Sequence, residues 1–177
     1  MSEARAAIDL LRGAQRVILV THKDPDGDAI GTLLGLGWAL RAMGKQVTLA
    51  CDDGVPWLLD FLPGSAEVVR KLNDVQADLV VVVDCSDTRR MGQVGAQAAA
   101  LGAPLVNIDH HATNTHFGQI NVVDPEAVSA AELVFEMLEE MGYALDANVA
   151  TCLLTGIVTD TRGFRTANVT QNALRMA

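Results

Sequence analysis

The segment Leu79-Val80-Val81-Val82-Val83-Asp84 places five consecutive apolar residues, four of them valine, directly before a carboxylate. The run is too short for a helix, and its branched side chains favour extended backbone. Because it does not alternate with polar residues, both of its faces should be covered, as in a parallel strand flanked by helices. On its N-terminal side, Val17-Ile18-Leu19-Val20 repeats the pattern and Val47 to Ala50 reads as a further strand. On its C-terminal side follow Leu105 to Ile108 and a short edge strand over Phe117 to Val122. Helical segments separate these runs: 2–13 closed by Gly13, 28–43 ending at Gly44, about 90–101 leading to Gly102, and 129–142. Asp146 caps a long helix running to about Thr159, and another helix begins near Val169. Residues 55–72 are mixed, with a loop at Pro63-Gly64 and a short helix after it. The alternation of strands and helices indicates an α/β fold with a mostly parallel sheet flanked by helices and right-handed crossovers.

Two helices carry more detail. Segment 28–43 is almost entirely apolar, so it should be buried, and Gly31 and Gly35 one turn apart should let it approach the sheet closely. In 129–142, Ala130, Leu133, Val134, Met137, Leu138 and Met141 share one face, while Glu132, Glu136, Glu139 and Glu140 take the other. Ser129 with Glu132 has the spacing of a capping box.

Composition narrows the function. The chain has 177 residues, half of them hydrophobic and 20% charged, enough for one well-cored domain and unlike a disordered chain. Thirteen Lys and Arg against 22 Asp and Glu give a formal charge of −9, which argues against tracking a long duplex nucleic acid. At 4% aromatic residues, a base-stacking platform is also not expected. No apolar run reaches the ~20 residues that span a bilayer, so no membrane partner and a cytoplasmic location are expected. Cys51, Cys85 and Cys152 are odd in number, widely spaced and free of C-x-x-C, and read as small buried hydrophobes.

The polar residues follow the strand ends. The first strand runs into Thr21-His22-Lys23-Asp24-Pro25-Asp26-Gly27-Asp28, the valine strand into Asp84, and the next into Asp109-His110-His111. Ligands of open α/β sheets bind beyond the carboxyl ends of the strands, and three strands deliver His and Asp to that edge. Asp160, at the end of the long helix, would lie beside them. Each residue has a plainer use: Asp26 or Asp28 as a helix cap, Asp84 and Asp109 as turn openers, a histidine as a core residue. Asp160 is harder to place that way, since a helix C-terminus disfavours a carboxylate without a cation. Four or more carboxylates in one crevice would repel one another, and two divalent cations would relieve this, taking the formal −9 to about −5.

Similar-looking motifs fail. Asp24, Asp26 and Asp28 have the opening spacing of a calcium loop, but Ala29 and Gly35 occupy the positions that need Gly and Glu. Gly35-Leu36-Gly37 begins like a dinucleotide fingerprint, yet Leu40 replaces its third glycine. No Walker loop, H-E-x-x-H or G-x-S-x-G occurs.

The set His22-x-x-Pro25-Asp26-Gly27-Asp28-Ala29-Ile30-Gly31, then Asp84, then Asp109-His110-His111, then Asp160 resembles the DHH phosphoesterase superfamily. The likeness runs from about residue 15 to 170 and is closest to the nano-RNase and pAp-phosphatase branch, with RecJ-like nucleases and the cyclic-di-AMP phosphodiesterases nearby. It implies two Mn2+ ions, with Mg2+ or another divalent cation also compatible with the ligand chemistry. By that resemblance His22 and Asp26 hold one ion, Asp28, His110 and Asp160 hold the other, and Asp84 bridges them. Catalytic roles fall to Asp84, to Asp109 orienting the histidines, and to His111 facing the substrate phosphate, with Arg165 as a further substrate contact; Arg89 and Arg90 are other candidates for phosphate.

The activity implied is hydrolysis of short oligoribonucleotides or 3′-phosphoadenosine 5′-phosphate (pAp). Alternatives are hydrolysis of cyclic-di-AMP or pApA, a pyrophosphatase, and, from another class, a nucleotide-binding sensor without catalysis. Thr32 stands where the family often has Ser, and Arg162 where Gly is common. Residues 1–177 are expected to form the metal-binding catalytic domain, with the family's C-terminal substrate-binding domain lying outside this chain and activity correspondingly weak. A homodimer is compatible with the sequence, which does not fix the oligomeric state.

Overall fold

The computed structural model describes residues 2–177. Five parallel strands form one sheet: β1 (Arg16–Val20), β2 (Gln46–Ala50), β3 (Leu79–Val83), β4 (Leu105–Asp109) and β5 (Ile120–Val123), in the order β2-β1-β3-β4-β5. Every pairing is parallel, so the expected α/β class and parallel sheet hold throughout. The order reverses between β1 and β3, where Val20 pairs with Val82, and such a switch point opens a crevice at the carboxyl ends.

Six helices flank the sheet: α1 (Glu3–Gly13), α2 (Gly27–Ala42), α3 (Gly92–Ala99), α4 (Ala130–Glu140), α5 (Ala147–Asp160) and α6 (Gln171–Met176). All five residues of β3 are buried, as its unbroken apolar run requires. Their alternation divides them between two cores. Leu79, Val81 and Val83 join the larger core with α1, α2, α4 and α5, while Val80 and Val82 join a smaller one with α3.

Several local expectations need correction. Gly31 and Gly35 bring α2 against α5, not against the sheet. A Cβ at Gly31 would stand 2.5 Å from the Cys152 carbonyl oxygen, so the two helix backbones touch there. Helix α3 begins two residues later than expected, at Gly92, whose φ is +69°. Its cap comes from Asp52 beyond β2, whose carboxylate accepts from the Gln93 and Val94 amides at 2.6 Å each. Glu132 is buried rather than facing solvent with its neighbours. The capping box is offset: Ser129 Oγ accepts from the Glu132 amide, but the Glu132 carboxylate accepts from Val128. Segment 55–72 carries two single 3-10 turns, Trp57–Leu59 and Ser65–Glu67, the second being the short helix expected after Pro63-Gly64.

Candidate metal centre

At the switch point, β1 runs into Thr21 and His22, both buried. Thr21 Oγ1 donates to the Val83 carbonyl at 2.9 Å, fastening the end of β1 to the end of β3. Asp84 follows with φ +52°, a left-handed backbone that is uncommon for a residue with a side chain and is found at functional turns. Its amide still donates to Ile108 at 2.9 Å, so β3 and β4 stay paired up to the site.

Asp26 is the N-cap of α2, accepting from the Asp28 and Ala29 amides. Its capping role and its place in the cluster therefore coexist. Asp28 is buried in the first turn of α2 and sits at the start of α4, accepting from the Ala130 and Ala131 amides at 2.6 and 3.1 Å. Thr32 Oγ1, one turn on, donates to the same carboxylate at 3.0 Å. Asp160 reaches the site because α5 packs antiparallel on α2, with Gly156 opposite both Gly31 and Asp28. A Cβ at Gly156 would lie 2.6 Å from Asp28 Oδ1.

These placements bring seven of the expected residues together. His22, Asp26 and Asp84 present ligand atoms within 4.8 Å of one another, as do Asp28, His110 and Asp160, and Asp84, His110 and His111. Asp84 lies between the first two groups: Oδ2 is 3.4 Å from His22 Nε2 and Oδ1 is 3.7 Å from His110 Nε2. His110 Nε2 is also 3.2 Å from Asp160 Oδ2.

The histidines share one arrangement. Nδ1 of His22 faces the Lys23 carbonyl at 2.6 Å, that of His110 the Ala127 carbonyl at 3.3 Å, and that of His111 the Asp109 carboxylate at 2.7 Å. In His22 and His110 the acceptor at Nδ1 holds the proton there and leaves the Nε2 lone pair, which faces Asp84, free for a ligand. His111 instead turns Nδ1 itself toward Asp109 and Asp84. Two buried atoms of the cluster, Asp84 Oδ1 and His110 Nε2, have no hydrogen-bond partner among the described residues. Orphaned buried polar atoms are costly, and a cation between them would satisfy both. Hard carboxylates with imidazoles suit a divalent ion such as Mn2+, so the residues fit the expected group.

The electrostatics agree. Burial, followed by the charges of Asp84 and Asp160, holds the Asp28 carboxyl well above the ordinary carboxylate range, against the pull of the Ala130 and Ala131 amides. Burial also raises Asp160; His110 opposes this, while Asp84 and Asp26 reinforce it. Asp109 behaves oppositely: burial would raise it, but His111 and Asn114 bring it below its usual value. In turn, Asp109 raises the proton affinity of His111. Cys85 and Cys152 are pushed up to about 12 by burial, so they are inert thiols, as their buried character in the sequence suggests.

The sequence profile of the DHH family, N-terminal domain, matches residues 16–157. The chain belongs to this family. Over 175 residues this DHH domain is 38% identical to the bifunctional oligoribonuclease and PAP phosphatase NrnA of Thermus thermophilus, covering 98% of the chain and 52% of that protein. An exopolyphosphatase-related protein from Bacteroides fragilis superposes with a TM-score of 0.90 at 29% identity, over 98% of this chain and 54% of that one. The exonuclease RecJ bound to manganese shares the fold, with a TM-score of 0.54 at 19% identity, over 99% of this chain and 48% of its own. The DHH chain thus spans about half the length of the curated relatives it matches.

Not every expected site residue of the DHH domain lies in the cluster. Arg165 is exposed in the turn after α5, and its Nε donates to the Arg162 carbonyl at 2.8 Å. Arg89 is also exposed, beside Asp87. Conversely, sequence reasoning passed over Asn107 and Asn114. Asn114 Nδ2 donates to Asp109 Oδ2 at 2.6 Å and to Asn107 Oδ1 at 2.8 Å, completing the acceptor side of Asp109. The signal for Asn107 was a polar residue inside an otherwise apolar strand; Asn114 carries none locally. Among the described residues no helix is long and apolar enough to cross a membrane.

Proposed function

We propose that this DHH domain is the metal-dependent catalytic half of a phosphoesterase hydrolysing short oligoribonucleotides and pAp. The observation that carries the reading is Asp84, whose two oxygens face separate groups of ligands while one of them has no hydrogen-bond partner among the described residues. His22, Asp26 and Asp84 would hold one Mn2+, and Asp28, His110 and Asp160, with Asp84, a second. When bound, such a pair of cations lowers the pKa of a water to generate the nucleophile and clamps the phosphate oxygens for in-line attack.

The chain's own residues supply the remainder. Asp109 stays ionised, holds the Nδ1 proton of His111 and favours its imidazolium form. The outer nitrogen of His111 then donates to a phosphate oxygen and assists the departing alkoxide. Asp28 is fixed by two amides and a hydroxyl, so its position is set before a cation arrives. The charge of −9 supports a small nucleotide substrate over a long polyanion, and three free buried cysteines suit a reducing cytoplasm.

The test is Mn2+-dependent release of phosphate from pAp and of mononucleotide from pApA, with Asp84→Ala as control and bound metal counted in both proteins. Turnover that needs Mn2+ and disappears in Asp84→Ala is expected. Clear preference for pApA would move the reading toward the cyclic-di-AMP pathway's linear product. Wild-type protein that binds no metal would overturn the reading.

A further inference from the structure

Arg90 stands at the same crevice in an unusual state. It is half-buried, and among the described residues its guanidinium forms no ion pair, although this edge of the molecule is rich in carboxylates. Among the described residues the one hydrogen-bond contact of its side chain is with His22 Nδ1, 3.0 Å from Nη2. The same nitrogen lies 2.6 Å from the Lys23 carbonyl, a group that can only accept. One Nδ1 cannot serve both neighbours: with its proton on the shorter contact to Lys23, it offers the guanidinium, which only donates, no lone pair. The fork of N–H groups is therefore free for an external acceptor.

The backbone of Arg90 is held in place. Its amide donates to Asp87 Oδ1 at 3.1 Å, and its carbonyl accepts from Lys23 at 2.8 Å. This ties the loop after β3 to the loop after β1, across the switch point. The neighbouring Arg89 lacks these features, being 92% exposed at its side chain and paired with Asp87. The charge of Arg90 is felt by both His22 and His111, which flank Asp84. Yet Arg90 lies on the Nδ1 side of the His22 ring, whereas Nε2 faces Asp84. The imidazole thus separates the guanidinium from the ligand cluster.

We propose that Arg90 grips a phosphate of the substrate other than the one being cleaved, and so selects nucleotides that carry a second phosphate. The planar fork matches two phosphate oxygens, and a half-buried site strengthens the pairing relative to water. The proposal rests on the phosphoesterase reading and names the residue that would discriminate among its substrates.

The experiment compares wild type, Arg90→Ala and Arg90→Lys on ApA and on 5′-phosphorylated pApA, with Mn2+ affinity measured by EPR titration. Arg90→Ala should raise KM for pApA about 10- to 100-fold, the range for a charged hydrogen bond, and leave ApA and Mn2+ affinity unchanged. Arg90→Lys should recover part of the loss. Equal losses on both substrates, no loss at all, or a parallel fall in Mn2+ affinity would overturn the proposal; the last would make Arg90 a positioning residue for His22. If wild type turns over neither substrate, the phosphoesterase reading fails. Equilibrium binding of pAp and AMP to the Mn2+-loaded proteins then decides about Arg90. Tighter binding of pAp, lost in Arg90→Ala, is expected, and equal binding of the two by wild type would refute it.

Discussion

Asp78 and Asp84 bracket β3, one before its first residue and one after its last, and they are treated in opposite ways. Asp78 accepts from the Gln15 and Arg16 amides and from the Arg16 side chain at 3.2 and 2.6 Å. The Arg16 side chain, then its amide, lowers the Asp78 carboxyl to about 2. Asp84 is buried among His22, His110 and His111 at 3.4–3.7 Å, with one oxygen unbonded. At one end of the strand the fold completes a carboxylate with its own donors. At the other it gathers carboxylates and leaves Asp84 incomplete. The difference separates a charge used for structure from a charge held ready for a ligand.

The largest test of this contrast is Asp84→Ala. It should lower turnover and Mn2+ affinity by more than ~100-fold, beyond what loss of an outer-shell partner costs. In the metal-free state the variant should melt no lower than wild type, because the lost group is an incompletely bonded buried charge. Calorimetry with and without Mn2+ reads both effects, and a large loss of apoprotein stability would erase the distinction between the two aspartates.

Asp109→Asn comes next. It keeps the shape but removes the charge that favours the His111 imidazolium, and a 10- to 100-fold loss in activity or metal affinity is expected. The pH profile should also change, with the His111 limb moving to lower pH; an unshifted profile would exclude His111 as the proton donor.

Gly156→Ala is a smaller perturbation, which leaves every candidate ligand in the sequence and of these crowds only Asp28. The new methyl would press on Asp28 and on Ala131, 2.8 Å away, so about 1–3 kcal/mol of destabilisation is expected. Urea unfolding measures it, and a neutral result would show that the α2–α4–α5 junction can relax.

The smallest effects concern pH. The Asp78 carboxyl is depressed in the folded state, so its contribution is present above the unfolded value near 3.8 and is lost as pH falls through about 2. Asp28 and Asp160 are raised, so in metal-free protein their contribution is present below that unfolded value and is lost as pH rises through their higher folded values. The rise in Tm on adding Mn2+ should therefore grow with pH across that upper range. In Asp78→Ala the acid-side loss should shrink while this Mn2+ effect persists. A Tm increment independent of pH would break the link between the crowded carboxylates and the cation.

Much of this was legible locally. Branched apolar runs of four or five residues marked β1 and β3, and the residues just beyond them marked the site. Other features depended on partners distant in sequence. Gly31 reads equally well as packing on a sheet or on a helix, and only the path of α5 decides for the helix. Glu132 fits an exposed face by periodicity, but Asn172 from α6 donates to it at 2.8 Å and α6 helps cover it. The cap of α3 is a carboxylate some forty residues earlier, invisible to any reading of its own flanks. Arg90 and Arg165 look alike as isolated arginines; what distinguishes them is the pair of loops that meet only at the switch point.

The cluster draws its members from four separated stretches, with His22 the earliest residue and Asp160 the latest. A chain emerging from the ribosome therefore has no complete centre until α5 has been synthesised and packed against α2. Fragments ending before that helix lack Asp160, so the order of the sequence itself sets when the cluster can assemble.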